Sequence, residues 1–116
     1  MVCMLSHSPF FLFMLIFVEV KRMGKPERVV EDYLRKQCKK NGLLCYKFVS
    51  PGIAGVPDDI VIGNGKVVFI ECKSAIGKTS PQQDRRISEM RQHGAVVYVA
   101  NSRDMIDEIL KKEFDI

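Results

Sequence analysis

From residue 26 onward the chain alternates between helical and strand periods in a readable order. Pro26 suits the first turn of a helix. Val29, Val30, Tyr33, Leu34 and Cys38 then recur at helical spacing, and Gly42 is a stop. Leu43 to Val49 reads as a strand, and Ser50-Pro51-Gly52-Ile53-Ala54-Gly55 as a loop. Ile60-Val61-Ile62 and Val67 to Lys73 are two further strands, joined by the turn signal Gly63-Asn64-Gly65. After the loop Ala75–Lys78, Ser80-Pro81-Gln82-Gln83 has the form of a helix start. Serine is the N-cap, proline the first helical position and glutamine the third, a capping box. That helix runs to His93-Gly94. Val96 to Val99 is a fourth strand, and Ser102 caps a last helix that turns Met105, Ile106, Ile109 and Leu110 inward. The pattern predicts an α/β domain of order α-β-β-β-α-β-α, a mixed sheet flanked by helices.

Composition adds limits. The 116 residues suffice for one domain with a modest core, and 47% hydrophobic with 28% charged content describes a globular chain. Cys3, Cys38, Cys45 and Cys72 show no C-x-x-C spacing and no adjacent histidine pair, which argues against zinc and against a disulfide framework. Cys38, Cys45 and Cys72 read as reduced, partly buried thiols of a cytoplasmic protein. His93, just before the helix-ending Gly94, suits a helix C-terminus, and neither it nor His7 belongs to a recognisable catalytic arrangement. The glycine-bearing segments 52–55 and 63–65 do not match a phosphate-cradling loop, so nucleotide hydrolysis is not favoured. Pro9 to Val18 is an unbroken apolar run of ten residues, about half of what a bilayer span needs. It lacks the basic start and small-residue cleavage site of a signal peptide. Residues 1–22 are therefore read as an extension ahead of a natural start at Met23, from an over-extended start codon or a dispensable segment. A membrane-anchoring segment at residues 10–18, or a partner-binding one, is the lesser alternative. The domain proper is residues 23–116.

The chemistry sits at one end of the predicted hairpin. Asp58 lies where one strand begins and Glu71 and Lys73 where the next one ends, so antiparallel pairing brings them side by side. Alternation sends Glu71 and Lys73 to one face and Cys72 to the other. Two carboxylates and an ammonium suit a hard divalent cation, Mg²⁺ or Mn²⁺, and phosphodiester hydrolysis. Asp58, Glu71 and the main-chain carbonyl of Cys72 are the candidate ligands, and Lys73 supports the attacking water. On the first helix Glu27 and Glu31 both fall along a rim of the apolar stripe, and periodicity does not choose between them. Over residues 23–116 there are 16 basic and 13 acidic side chains. Lys47, Lys78, Arg85 and Arg86 flank the proposed site and are candidate phosphate contacts. Ordinary solvated basic faces account for Lys39, Lys40 and Arg91 equally well. Aromatic residues are too few for a base-stacking platform.

The ordered set of a helix with Glu31, then Lys47-Phe48-Val49-Ser50-Pro51-Gly52, Gly55-Val56-Pro57-Asp58, Glu71-Cys72-Lys73 and Ser80-Pro81-Gln82-Gln83 resembles the PD-(D/E)xK nuclease superfamily, and within it the VRR-NUC branch. The resemblance spans residues 27 to about 107. It implies a restriction-endonuclease-like core in which Glu31, Asp58 and Glu71 bind metal, Lys73 assists catalysis and Gln83 orients water or phosphate beside its capping role. It further implies a metal-dependent DNA endonuclease, cytoplasmic in a bacterial or phage-infected cell. The resemblance also implies a homodimer acting on branched DNA such as four-way junctions, with no small-molecule cofactor expected. Flaps or linear duplex are the alternative substrates, and a silent DNA-binding module is the alternative class. One departure is Asp59, where many relatives carry arginine, and it is read as altering substrate contacts without touching the metal site.

Overall fold

The computed structural model describes residues 26–116. The apolar run 9–18, the boundary at Met23, Cys3 and His7 lie outside the described residues. The elements follow the predicted order: α1 (Pro26–Lys40), β1 (Leu44–Lys47), β2 (Asp59–Gly63), β3 (Lys66–Cys72), α2 (Pro81–Gln92), β4 (Val96–Ala100) and α3 (Arg103–Phe114). The strands form one sheet in the order β1-β2-β3-β4. The first three are antiparallel neighbours and β4 runs parallel to β3, so the sheet is mixed.

The register is set at the β2–β3 turn. Asn64 and Gly65 are its two central residues, with φ of 50° and 76°, and Gly63 pairs with Lys66. Positive φ at both positions marks the two-residue turn whose twist matches the strands it joins, which is why Asn-Gly serves there. Asn64 is further tied to the end of α3 by a bond from its Nδ2 to the Phe114 carbonyl (3.1 Å).

Alternation then sorts the side chains. Val61 of β2, Val68, Ile70 and Cys72 of β3 and Ala100 of β4 share a core with Val30, Leu34 and Cys38 of α1 and Ile106, Ile109, Leu110 and Phe114 of α3. The second helix, α2, packs on β4 through Ile87. At the β1 edge the same alternation leaves Leu44 and Tyr46 half exposed, and Val67 of β3 lies in line with Leu44 across Ile62 of β2.

Two positions depart from the expected inward set. Val29 and Met105 are 38% and 37% exposed. Each lies at the border of its helix's apolar stripe, where spacing alone does not separate core from rim. Leu34→Ala is expected to lower unfolding free energy by about 2–5 kcal/mol, and Val29→Ala by roughly 0.5 kcal/mol or less. Urea titration of the full chain checks this, and equal costs for the two would contradict the assignment of core and rim.

Candidate active site

Glu71 is the buried centre of the site, at 2% exposure. The pairing of Asp59 with Ile70 puts Asp58, one residue earlier, beside Glu71 at the open end of the hairpin. The Asp58 backbone N–H donates to Glu71 Oε1 (3.2 Å). Lys73 Nζ stands 3.3 Å from Glu71 Oε2. Gln83 donates to that oxygen through Nε2 (3.2 Å) while its Oε1 accepts from the Ser80 N–H (2.9 Å) and its own N–H donates to Ser80 Oγ (3.1 Å). The capping box and the site contact thus use opposite arms of one amide. Burial pushes the Glu71 carboxyl above its ordinary range, as does the charge of Asp58, while Lys73 and the Asp58 N–H pull it back.

A second group gathers where α1 crosses the same end of the sheet. Glu31 Oε2 accepts from Lys47 Nζ (2.8 Å) and lies 3.4 Å from Arg35 NH2. Arg35 also holds Asp59 Oδ1 at 3.0 Å. Asp59 is fully buried and its Oδ2 has no donor. Burial first, and then the Glu31 carboxylate beside it, push Asp59 up to about 8 despite Arg35. Burial would also raise Glu31, but hydrogen bonds from Asp59 and Lys47 and the charges of Lys47 and Arg35 outweigh it and hold Glu31 at about 2. The consistent state is a neutral Asp59 beside an ionised Glu31, with Arg35 in contact with both.

Asp58 links the groups. With Glu27, Arg28, Glu31, Lys47 and Cys72 it lines a cavity of about 280 Å³. A larger one of about 480 Å³ between α2 and β4 is lined by Asp84, Ile87, Ser88, Arg91, Gln92 and Val99 and holds none of the predicted catalytic or metal-binding residues. Among the described residues no three acidic, cysteine or histidine side chains stand close enough to cage a metal. The physical reason is alternation. Glu71 turns to the α2 face and Asp59 to the α1 face, as their contacts with Gln83 and Arg35 record, and Glu31 arrives on α1.

The basic residues divide by employment. Lys78 and Arg85 are exposed and form no ion pair among the described residues. Arg86 instead bonds the Ala54 carbonyl (3.1 Å) and Glu89 (3.0 Å), tying the 50–55 loop to α2. Gly55 closes that contact: its φ is 90°, and a Cβ there would meet the Gln82 carbonyl at 2.7 Å. His93 accepts no catalytic partner and sits with Nδ1 2.9 Å from the Glu89 carbonyl at the end of α2. Arg35 and the burial of Asp59 escaped the sequence reading. The traces were present, since Arg35 stands four residues after Glu31 on one helix face and Asp59 opens an apolar strand where a second acid needs a partner. Asp59 is thus no surface contact for substrate: it is fully buried and shares Arg35 with Glu31.

No family model matches the chain. It is 41% identical over 80 residues to "Putative nuclease p44" of Acyrthosiphon pisum secondary endosymbiont phage 1, covering 68% of this chain and 86% of that one. A solved structure titled "VRR_NUC domain" superposes with a TM-score of 0.69 at 29% identity, over 78% of this chain and 98% of the other. With the fold, its element order and this relative in agreement, the chain belongs to the VRR-NUC family of nucleases. No helix among the described residues is long and apolar enough to cross a membrane.

The carboxyl pair has a pH signature. Asp59 rises from 3.8 to about 8, so between those values the folded chain keeps a proton that the unfolded chain has lost, and stability declines as pH rises across that window. Glu31 falls from 4.5 to about 2, so its contribution is present above pH 4.5 and lost as pH drops toward 2. Thermal melts of the full chain in chelator are expected to show Tm falling from about pH 5 to pH 8, with a shallower fall in Asp59→Asn. Parallel profiles for the two would contradict the assignment.

Proposed function

We infer that this chain is a divalent-metal-dependent DNA endonuclease acting on branched DNA. The observation that carries the reading is the Glu71 cluster, in which a buried carboxylate opposite Asp58 is held by Lys73 and Gln83 at the open end of a hairpin. The donor set fits Mg²⁺ or Mn²⁺. Asp58 and Glu71 are hard oxygen donors near enough for the charge of one to raise the pKa of the other, which is a repulsion that a cation relieves. Mg²⁺ is ordinarily held by one or two carboxylates with water and substrate phosphate, so a full protein cage is not required. Asp58 and Glu71 would hold the ion, with the Cys72 carbonyl beside them and Glu31 contributing across the shared cavity. A bound divalent ion supplies Lewis acidity and a more acidic water.

The remaining work falls to the protein. Lys73 offers an ammonium at the site to steady the attacking oxygen and the charge that builds on the phosphoryl group. Gln83, fixed through its cap, keeps Glu71 oriented, with that carboxylate's other oxygen facing the Asp58 N–H. Lys78 and Arg85, both exposed, would meet phosphates, and Lys47 would join them on leaving Glu31. The choice of branched DNA rests on the family resemblance and is the finer part of the reading. Cleavage of four-way junctions, flaps and plain duplex of matched sequence tests it. Lys73→Ala and Asp58→Ala are each expected to lose about 100-fold or more in rate with Mg²⁺ present. Residual wild-type cleavage by Asp58→Ala would favour a silent DNA-binding module instead.

We also propose that the active form is a homodimer. Leu44 and Tyr46 on the edge strand β1, Val67 in line with Leu44 across Ile62, and Val49 and Ile53 in the segment after β1 are apolar side chains about half exposed or more. A clustered apolar surface of this kind marks an interaction site, whereas scattered ones do not. Symmetric cutting of a junction needs two active sites. Sedimentation at micromolar concentration is expected to give a dimer that Tyr46→Asp converts to monomer. A monomeric wild type that still cuts paired strands would exclude it.

A further inference from the structure

Two cations converge on Glu31 Oε2, and their other attachments differ. Arg35 has two attachments, Glu31 at 3.4 Å and the wholly buried Asp59 at 3.0 Å, and moving it would strip Asp59 Oδ1 of its donor. Lys47 is half exposed, and Glu31 is its one ion-pair partner among the described residues. It stands at the end of β1, paired in register with Asp59, and lines the same cavity as Asp58 and Glu31. Its ammonium thus faces Glu31 at 2.8 Å and shares the cavity with Asp58. Lys47 therefore occupies with its positive charge the space bounded by the α1 and β2 acids.

We propose that Lys47 is an exchangeable counter-ion of Glu31, a placeholder that a divalent metal displaces and that then becomes a phosphate ligand. This rests on the metal-dependent reading above and adds to it an ordered coupling between metal and nucleic acid. A divalent cation and an ammonium repel each other and compete for one carboxylate oxygen 2.8 Å from Nζ. Arg35 stays with Asp59, so the exchange falls on the lysine. Once displaced, the flexible stem carries Nζ outward from a half-exposed position at the cavity mouth, where an incoming phosphate would meet it. Metal binding thereby adds a positive charge to the DNA-facing surface beyond the ion's own, and by linkage DNA binding favours metal uptake by the same factor.

The inference has an unusual sign: removing a basic residue should tighten metal binding. Calorimetric titration of Mn²⁺ into the full-length wild type, Lys47→Met and Lys78→Met provides the test. Lys47→Met is expected to bind Mn²⁺ about fivefold more tightly than wild type, and Lys78→Met equally to wild type. Fluorescence anisotropy with a labelled four-way junction, in a Lys73→Ala background that leaves the DNA intact, supplies a second measure. Both lysine variants should weaken junction binding, since each loses a phosphate contact. The gain in DNA affinity on adding Mn²⁺ should persist in Lys78→Met and shrink in Lys47→Met. Unchanged or weaker Mn²⁺ binding by Lys47→Met, or an undiminished gain, overturns the placeholder role while leaving metal dependence intact. If wild type and Lys47→Met alike take up no Mn²⁺, and no divalent ion supports cleavage, the metal-dependent reading itself falls and the inference falls with it.

Discussion

The β2–β3 register is the constraint on which the rest of this molecule depends. A two-residue Asn64-Gly65 turn pairs Gly63 with Lys66, and from that pairing follows Asp59 against Ile70 and the approach of Asp58 to Glu71. Strand side chains alternate with a period of two, so a slip of one residue would turn Val61, Val68 and Ile70 out of the core and move Glu71 to the wrong face. The hydrophobic core and the placement of the acids are thus enforced by one choice of pairing. Selection for a stable sheet is at the same time selection for the site.

Beyond that hairpin, neighbouring elements stiffen the site from both faces. On the α2 side, Gln83 is committed twice, and its commitment to the helix cap is what aims the free arm at Glu71. Gly55 and Arg86 dock the loop before Asp58 onto the same helix, which limits how far the hairpin end can move relative to Gln83. On the α1 side a chain of contacts runs Lys47, Glu31, Arg35, Asp59, ending in a carboxyl that stays neutral because burial and the nearby Glu31 charge outweigh Arg35. The two faces meet only at the sheet end, where Asp58 and Glu31 share a cavity. That division explains how a domain of this size can hold several acids in close quarters without the repulsion unfolding it.

Membership of the VRR-NUC family and the geometry support each other without being the same argument. The family rests on the match to a phage relative and on the superposed domain. The geometry stands on hydrogen bonds and burial that would be present in any chain with these side chains in these places. A role for Arg35 and Asp59 comes from the second source alone.

Much of the architecture was legible from local pattern. The helical spacing of α1, the Asn-Gly turn, the Ser80 box with its glutamine and the strand alternation each encode their structure within a few residues, because backbone dihedrals and side-chain periodicity are local physics. The nearness of Asp58, Glu71 and Lys73 was legible too, since one hairpin carries all three. What tertiary structure alone decided was which neighbour each charge meets. Asp59 became a buried, neutral acid sharing Arg35 with Glu31 because α1 lies against the start of β2. Arg86 was drawn to a loop carbonyl, and Val29 and Met105 fell on the rim. Such outcomes depend on long-range contact and on the dielectric around a group, and no window of sequence contains either.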